Sequence, residues 1–392
     1  MSRKTVVHLG ISGFPFGYAP IQRIRLVFKA LKLGGFFPLI ISKNSLHAKR
    51  DIKRIARYDG LPYVNTSREL RRPDNFFLRN LNKLSGIAGE LILLFKIRKD
   101  VVAAILYTPS FHELVYYRIL SGVLRFKLII QYVEFRSSID ERKGSLTGVN
   151  DLLFDKYGYY FCDGIIVISE FLKEHVLSRS KKTPVLKIPA INDFTVRPST
   201  RFERTEPYLM YCGTIDYLEV IQFVLQSFVD LKLNNQYQGR LVLIISGANT
   251  EKWERLRSHI GQIQFSEMID VKSGIDYSDL LSLYDGADLL MIPLRDTIQD
   301  KARFPHKVGE YTASKRPILS TNLGEMKTYF RNGVSAILAE DYSVEEYVET
   351  MSKWLASGDL TTIGLNGYNV GMQNFHYARY ANALVDFINS AI

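Results

Sequence analysis

The strongest constraint on this chain is a pattern that occurs twice: short apolar segments, each followed by a longer amphipathic one. In the first half the apolar segments are Val6–Gly10, Phe37–Ser42, Ala103–Pro109, Leu128–Glu134 and Gly164–Ser169. Helical periodicity lies between them, as over Ile21–Leu33 and Phe111–Leu124. In the second half they are Tyr208–Gly213, Leu241–Gly247, Ile269–Lys272, Asp288–Leu294, Pro317–Thr321 and Ala336–Ala339, with helical stretches such as Val220–Leu231, Asp279–Tyr284 and Val344–Trp354. Apolar strands alternating with helices predict α/β domains with parallel sheets covered on both faces. Two such runs in 392 residues predict two Rossmann-like, doubly wound domains, at 1–195 and 205–370. The polar, aperiodic stretch "NDFTVRPSTRFERTEP" at 192–207 suits a linker, and "YARYANALVDFINSAI" reads as a terminal helix. Ligands bind beyond the carboxyl ends of parallel strands, so two such domains facing each other predict an inter-domain cleft for two substrates.

Charge divides the same way. Residues 1–200 hold 33 Lys+Arg against 16 Asp+Glu, and residues 201–392 hold 18 against 24. The first hundred residues alone hold 20 against 6. A basic amino half implies an anionic partner, whether membrane surface, phosphorylated lipid or nucleic acid, or else a solvated basic face. Segment 66–99 mixes cations with Phe76, Phe77, Leu91 to Phe95 and Ile97, a composition that suits a membrane interface or a core-facing helix. No recognised nucleic-acid-binding motif occurs, so no nucleic-acid partner is expected. No 18-residue apolar run exists to span a bilayer. Cys162 and Cys212 both fall in apolar segments, which fits a reducing compartment rather than a disulfide framework. With strand-like sequence near the start and no signal peptide, the expected location is cytoplasmic, or peripheral on the inner face of the plasma membrane.

Chemistry-bearing residues gather at the ends of the apolar segments. "GISGFPFGYAP", residues 10–20, follows the first of them and carries Gly13, Gly17 and Tyr18. Its spacing is not the dinucleotide fingerprint, but its amides, with Arg23 one turn into the helix, could face an anion. The same stretch also suits a ligand-free connection. His112 follows "YTPS", and Glu134 ends "LIIQYVE". The seven histidines show no metal-ligand spacing, and neither a metal nor a cofactor is expected. In the second half Gly213 and Thr214, then Ser246 and Gly247, then Gly274, Ile275 and Tyr277, end successive segments. Arg295 follows "MIPL", and Gly324 lies in "TNLGEM". Between these, "FPHKVGEYTASKRPILST" predicts a helix opening at Pro305 and His306, with Lys307 and Glu310 one turn apart and a stop before Pro317. Helix-start amides with a lysine can neutralise a diphosphate, and a carboxylate can hold two ribose hydroxyls. An ordinary surface helix with an ion pair is the competing reading.

Four segments carry a resemblance: "GFPFGYAPIQRIRLVFKALKLGG", then "CDGIIVISEFLKEHV" with "IPAIND", then "YSDLLSLYDGADLLMIPL", and "FPHKVGEYTASKRPILSTNLGEMKTYFRNGVSAIL". Together they resemble a GT-B-fold glycosyltransferase of family 4, the group 1 family, along essentially the whole chain. The resemblance implies a carboxyl domain for the nucleotide sugar, an amino domain for the acceptor, and transfer with retention, usually without a metal. By it Glu310 takes the place of the second glutamate of the family's paired motif, while Ala302 stands where the first is usual. The family's basic pair after the first carboxyl-domain strand is absent from "GTIDYLEV". Lys307 resembles the lysine of a P-x-K-x-x-E variant, and Arg303 or Arg295 could supply the lost charge. Acceptor contacts would come from Gly13, Gly17, Tyr18, Arg23, His112 and Glu134. The expected activity is transfer from a UDP- or GDP-sugar to a glycan or lipid-linked acceptor in bacterial surface-polysaccharide synthesis. The alternatives are a nucleotide-sugar epimerase of the same architecture, a nucleic-acid binder, and an inactive scaffold.

Overall fold

The computed structural model describes residues 4–10, 13–17, 19–46, 53–108, 110–139, 142–196, 206–357 and 359–391. Two compact units result: Met1–Ile191 with Tyr377–Ile392, and Asn192–His376. The division therefore falls at 191/192 and 376/377 rather than at the expected 195/205 and 370, and 197–205 of the anticipated linker lie outside the described residues.

The first unit is built on eight strands: β1 (Thr5–Leu9), β2 (Phe37–Ser42), β3 (Ile55–Tyr58), β4 (Leu61–Asn65), β5 (Val101–Leu106), β6 (Lys127–Tyr132), β7 (Gly164–Val167) and β8 (Val185–Lys187). Their order is β3-β4-β2-β1-β5-β6-β7-β8. Neighbours are parallel except β3 and β4, which form an antiparallel hairpin closed by Asp59 and Gly60. Both of those residues have positive φ (50° and 74°), as a two-residue turn matching the strand twist requires. Helix Ala19–Leu33 buries Ile24, Val27, Phe28 and Leu31 in one core with Leu384, Phe387 and Ile388 of the helix Ala381–Ala391. Gly164 leaves room for Phe387: a Cβ there would lie 2.8 Å from its ring.

Arg23 corrects an expectation. It faces no open anion site; it is wholly buried, and its guanidinium donates to the Pro189 and Ile188 carbonyls (both 2.7 Å) and to the Gln131 amide oxygen (2.9 Å). Burial lowers its pKa to about 10, so it remains charged at neutral pH. It ties the first helix to the segment following β8.

The second unit has six parallel strands: β9 (Tyr208–Thr214), β10 (Arg240–Ser246), β11 (Ile269–Lys272), β12 (Leu289–Ile292), β13 (Ile318–Thr321) and β14 (Ile337–Ala339). Their order is β11-β10-β9-β12-β13-β14. The chain steps outward from β9 to β11, then returns to the far side of β9 with β12. The β9/β12 seam is thus the topological switch point, the place beyond whose strand ends open α/β sheets bind their ligands.

Replacing Arg23 by Met removes the donors of three buried acceptors. Each unsatisfied buried group costs about 1–3 kcal/mol, so a loss of at least about 3 kcal/mol in chemical-denaturant unfolding is expected. A loss below about 1 kcal/mol would show that the anchor is dispensable.

Candidate active site

The site starts from a tyrosine. Tyr311, on the helix Lys307–Ala313, is fully buried; its hydroxyl accepts from the Cys212 N–H (3.2 Å) and donates toward the Met291 carbonyl (3.5 Å). Cys212 lies near the end of β9, and Met291 is on β12 opposite Tyr211. One side chain therefore pins the short helix onto the switch-point seam. Chain entry is as anticipated in outline, with one shift: Pro305 and His306 precede the helix and accept its first-turn N–H groups, from Val308 (3.0 Å) and Gly309 (3.1 Å).

With the helix pinned there, Lys307 and Glu310 lie beside the end of β9, where both charges act on the Cys212 thiol. Burial is the main cause of that thiol's raised pKa; Glu310 adds to it and Lys307 opposes it. The Glu310 carboxylate is oriented by two phenols, accepting from Tyr277 (3.3 Å, on Oε1) and Tyr284 (3.2 Å, on Oε2). These tyrosines sit seven residues apart on helix Tyr277–Gly286, two turns and therefore one face. Burial, reinforced by Cys212 and Glu310, pushes the Tyr284 phenol well above its usual range, so it stays a donor.

The loops around this helix are held close. Ser246 donates to the Gly213 carbonyl (3.2 Å), which joins the ends of β10 and β9. Gly247 has φ +111°, and a Cβ there would come 2.8 Å from the Ile215 side chain and 3.0 Å from the Thr214 hydroxyl. Thr214 donates to Asp216 (3.3 Å). Thr321 accepts from the Leu294 N–H (3.0 Å) and donates to its carbonyl (2.6 Å), locking β13 to the segment after β12. Gly324, at φ +53°, opens the helix Gly324–Tyr329 against the backbone of Asp300 and Lys301. Ile275 is half-buried, while Gly274, at φ +66°, has open space around it.

The two arginines are held by a residue that motif reading did not single out. Asp300 is completely buried and receives Arg295 through Nε (2.9 Å), Nη2 (3.0 Å) and the backbone N–H (2.8 Å). Arg303 forms an ion pair with the same carboxylate (2.9 Å) and lies over the Tyr217 ring at 4.3 Å. Arg295 also pairs with Glu219. Burial alone would raise the Asp300 pKa; the hydrogen bonds from Arg295 and the charges of both arginines outweigh it and hold it below the usual carboxylate range. Arg295 is thus spent on Asp300, Glu219 and Gln299, which makes it a scaffold for the loop more than a free cation. The available signals were Thr297, whose hydroxyl caps the Asp300 N–H (3.2 Å), and the i,i+3 spacing of Asp300 and Arg303. Ala302 is fully buried.

In the amino unit the candidates are dispersed among structural contacts. Gly13 accepts from Phe16 N–H (2.9 Å) in a tight turn at φ +101°, and a Cβ at Gly17 would strike Ile21. Tyr18 lies outside the described residues. His112 is exposed and bonded to the Ser110 hydroxyl (2.8 Å through Nδ1). Glu134 pairs with Arg136 (3.3 Å), and both charges act on Tyr107, whose phenol burial pushes up to about 12. Among the described residues no group of three or more His, Cys, Asp or Glu is placed to hold a metal ion.

Residues 192–363 match the family model described as glycosyl transferases group 1, from the first residue of the second unit almost to its end. A curated relative, D-inositol 3-phosphate glycosyltransferase of Nocardia farcinica, is 22% identical over 191 residues, 48% of this chain. The match spans only 41% of that relative's length. Solved structures align over nearly the whole chain. Sucrose-phosphate synthase of Thermosynechococcus elongatus gives a TM-score of 0.72 at 15% identity, covering 99% of each chain. HepE of Anabaena, solved with UDP and glucose, gives 0.69 at 13% identity, covering 99% of this chain and 100% of that one. The fold is therefore that of the GT-B glycosyltransferase structures: mixed α/β, with two largely parallel sheets.

Asp300→Asn should uncover how the arginine pair is held. The folded-state pKa lies below the unfolded one, so the carboxylate's contribution is complete at neutral pH and lost as pH falls through the folded value. The variant should be less stable by about 3 kcal/mol at pH 7 in denaturant unfolding. That gap should narrow below about pH 4, and a gap independent of pH would refute the account.

Proposed function

We propose that the chain is a retaining glycosyltransferase that moves a sugar from a UDP- or GDP-linked donor to a hydroxyl of a glycan or lipid-linked acceptor, in bacterial surface-polysaccharide synthesis. The observation that carries this reading is Glu310, aimed by two tyrosines, with Lys307 one turn earlier, at the switch-point end of the second sheet. The group 1 match over 192–363 supports it, as does a fold neighbour that holds UDP.

In this reading the Glu310 carboxylate, aimed by the two phenols, is the acceptor for the two ribose hydroxyls. The Lys307 ammonium meets the diphosphate, on which negative charge builds as the bond to the sugar breaks. A cation fixed in place before that charge develops stabilises the transition state more than the ground state. Arg303, anchored by Asp300 and Tyr217, extends the positive field without needing to reorganise. With alanine at 302, the sugar hydroxyls receive no carboxylate from that position and must be held by groups of the neighbouring loops. The amino unit supplies the acceptor contacts, with Glu134 and His112 as orienting groups. Neither a metal nor a cofactor takes part.

A purified-enzyme assay of nucleoside diphosphate release, with a panel of UDP- and GDP-sugars, tests the reading. Lys307→Ala should lower kcat by about 100-fold. Glu310→Gln should weaken donor binding about tenfold in thermal-shift titration, and both variants should melt near wild type. Wild-type turnover in both would remove these residues from the site. Release of an altered free sugar nucleotide instead of the nucleoside diphosphate would favour an epimerase.

A further inference from the structure

The helix Phe76–Ile97 of the amino unit is inside out. Its buried positions, Asn82, Gly86, Glu90 and Leu94, recur every four residues, and two of them are polar. Asn82 accepts from the Glu69 N–H (2.7 Å) and donates to the Glu69 carbonyl (2.9 Å). Glu90 accepts from the Tyr117 hydroxyl (2.9 and 3.1 Å), which itself accepts from Lys43 (3.0 Å). Gly86 and Gly89 let the helix settle onto the backbone of Lys43 and Thr66, where a Cβ would collide. The opposite side carries Phe77, Leu81, Leu84, Ile92 and Phe95, each between 56% and 79% exposed. At 3.6 residues per turn these five form one outward stripe. The adjoining helix Phe111–Leu124, joined through the Tyr117–Glu90 bond, also exposes Ile119 and Val123. An apolar stripe left exposed along about five helical turns marks a face that is normally covered.

The charges indicate the cover. Between residues 68 and 100 eight Lys and Arg stand against four Asp and Glu, and one of those acids, Glu90, is buried. Cations cluster at both ends, with Arg71, Arg72 and Arg79 before or within the first turn and Lys96, Arg98 and Lys99 at the other end. The Arg98 guanidinium lies over the exposed Phe95 ring at 4.1 Å. A second copy of the chain on this face would set cations against cations, whereas an anionic leaflet takes up both the stripe and the charge. Among the described residues no helix is long and apolar enough to cross a membrane, and the Asn82/Glu90 side keeps this one against the protein. At about 1.5 Å per residue it would lie along the surface for roughly 33 Å.

We propose that this helix is an interfacial anchor, seating its outward stripe in the headgroup and acyl boundary of an anionic lipid bilayer. The proposal does not rest on the transferase reading.

Co-sedimentation of the full chain with vesicles is the test. Vesicles of mixed phosphatidylglycerol and phosphatidylcholine should bind it at least about tenfold better than phosphatidylcholine alone, and added salt should erode the difference. Leu84→Glu with Ile92→Glu should lower the partition coefficient at least about tenfold at an unchanged melting temperature, since both positions are exposed. Arg72→Glu with Lys99→Glu should abolish the preference for anionic vesicles. Absence of wild-type binding, or equal binding of wild type and Leu84→Glu/Ile92→Glu, overturns the proposal. So does a wild-type dimer in light scattering that the Leu84→Glu/Ile92→Glu pair dissociates, which would assign the face to a second copy.

Discussion

The hydroxyl of Tyr311, set between the Cys212 N–H and the Met291 carbonyl, fixes the helix that carries Lys307 and Glu310. That helix has seven residues, too short to hold itself in place by its own hydrogen bonds. Its position depends on side chains it sends into the sheet. Tyr284 packs edge-on against Tyr311 with centroids 4.9 Å apart and reaches past it to Glu310, so one aromatic pair both anchors the helix and aims its carboxylate. The chemistry assigned to this region follows from that anchoring. A cation and an acceptor are useful to a charged ligand only if they are in position before it arrives.

A second anchoring centre, Asp300, acts on the loop between β12 and the helix. It is a buried acid with two cationic partners, an arrangement in which any one member left alone would be an uncompensated charge. Arg295 and Arg303 are therefore bound to their sites by more than their own packing. Tyr217 beneath Arg303 extends the same cluster toward the segment after β9.

How much of this was legible depends on how local the signal was. β2 and β11 match their sequence expectations at both ends. The strands buried on both faces, such as β1, β7 and β12, were found because continuous apolar runs announce themselves. β3 was missed because "IARY" is half-exposed and flanked by charges, and β8 because it has three residues. β4 was hidden by alternating burial and its pairing with an antiparallel edge. Arg23 misled because a basic residue after a glycine-bearing loop looks the same whether its partners are a ligand or the carbonyls of Ile188 and Pro189, well over a hundred residues away. The periodicity of residues 76–97 was visible; which side faced inward was not. That was decided by two glycines and two satisfied polar groups, not by hydrophobicity.

The membership of residues 377–391 in the first unit has a consequence for synthesis. Leu384, Phe387 and Ile388 complete a core begun by residues near the start of the chain, and the whole second unit is made in between. On the ribosome, the amino unit must wait with that core uncovered, its Ile24 and Phe28 surface open to water or to a chaperone, while the carboxyl unit is translated and can close first.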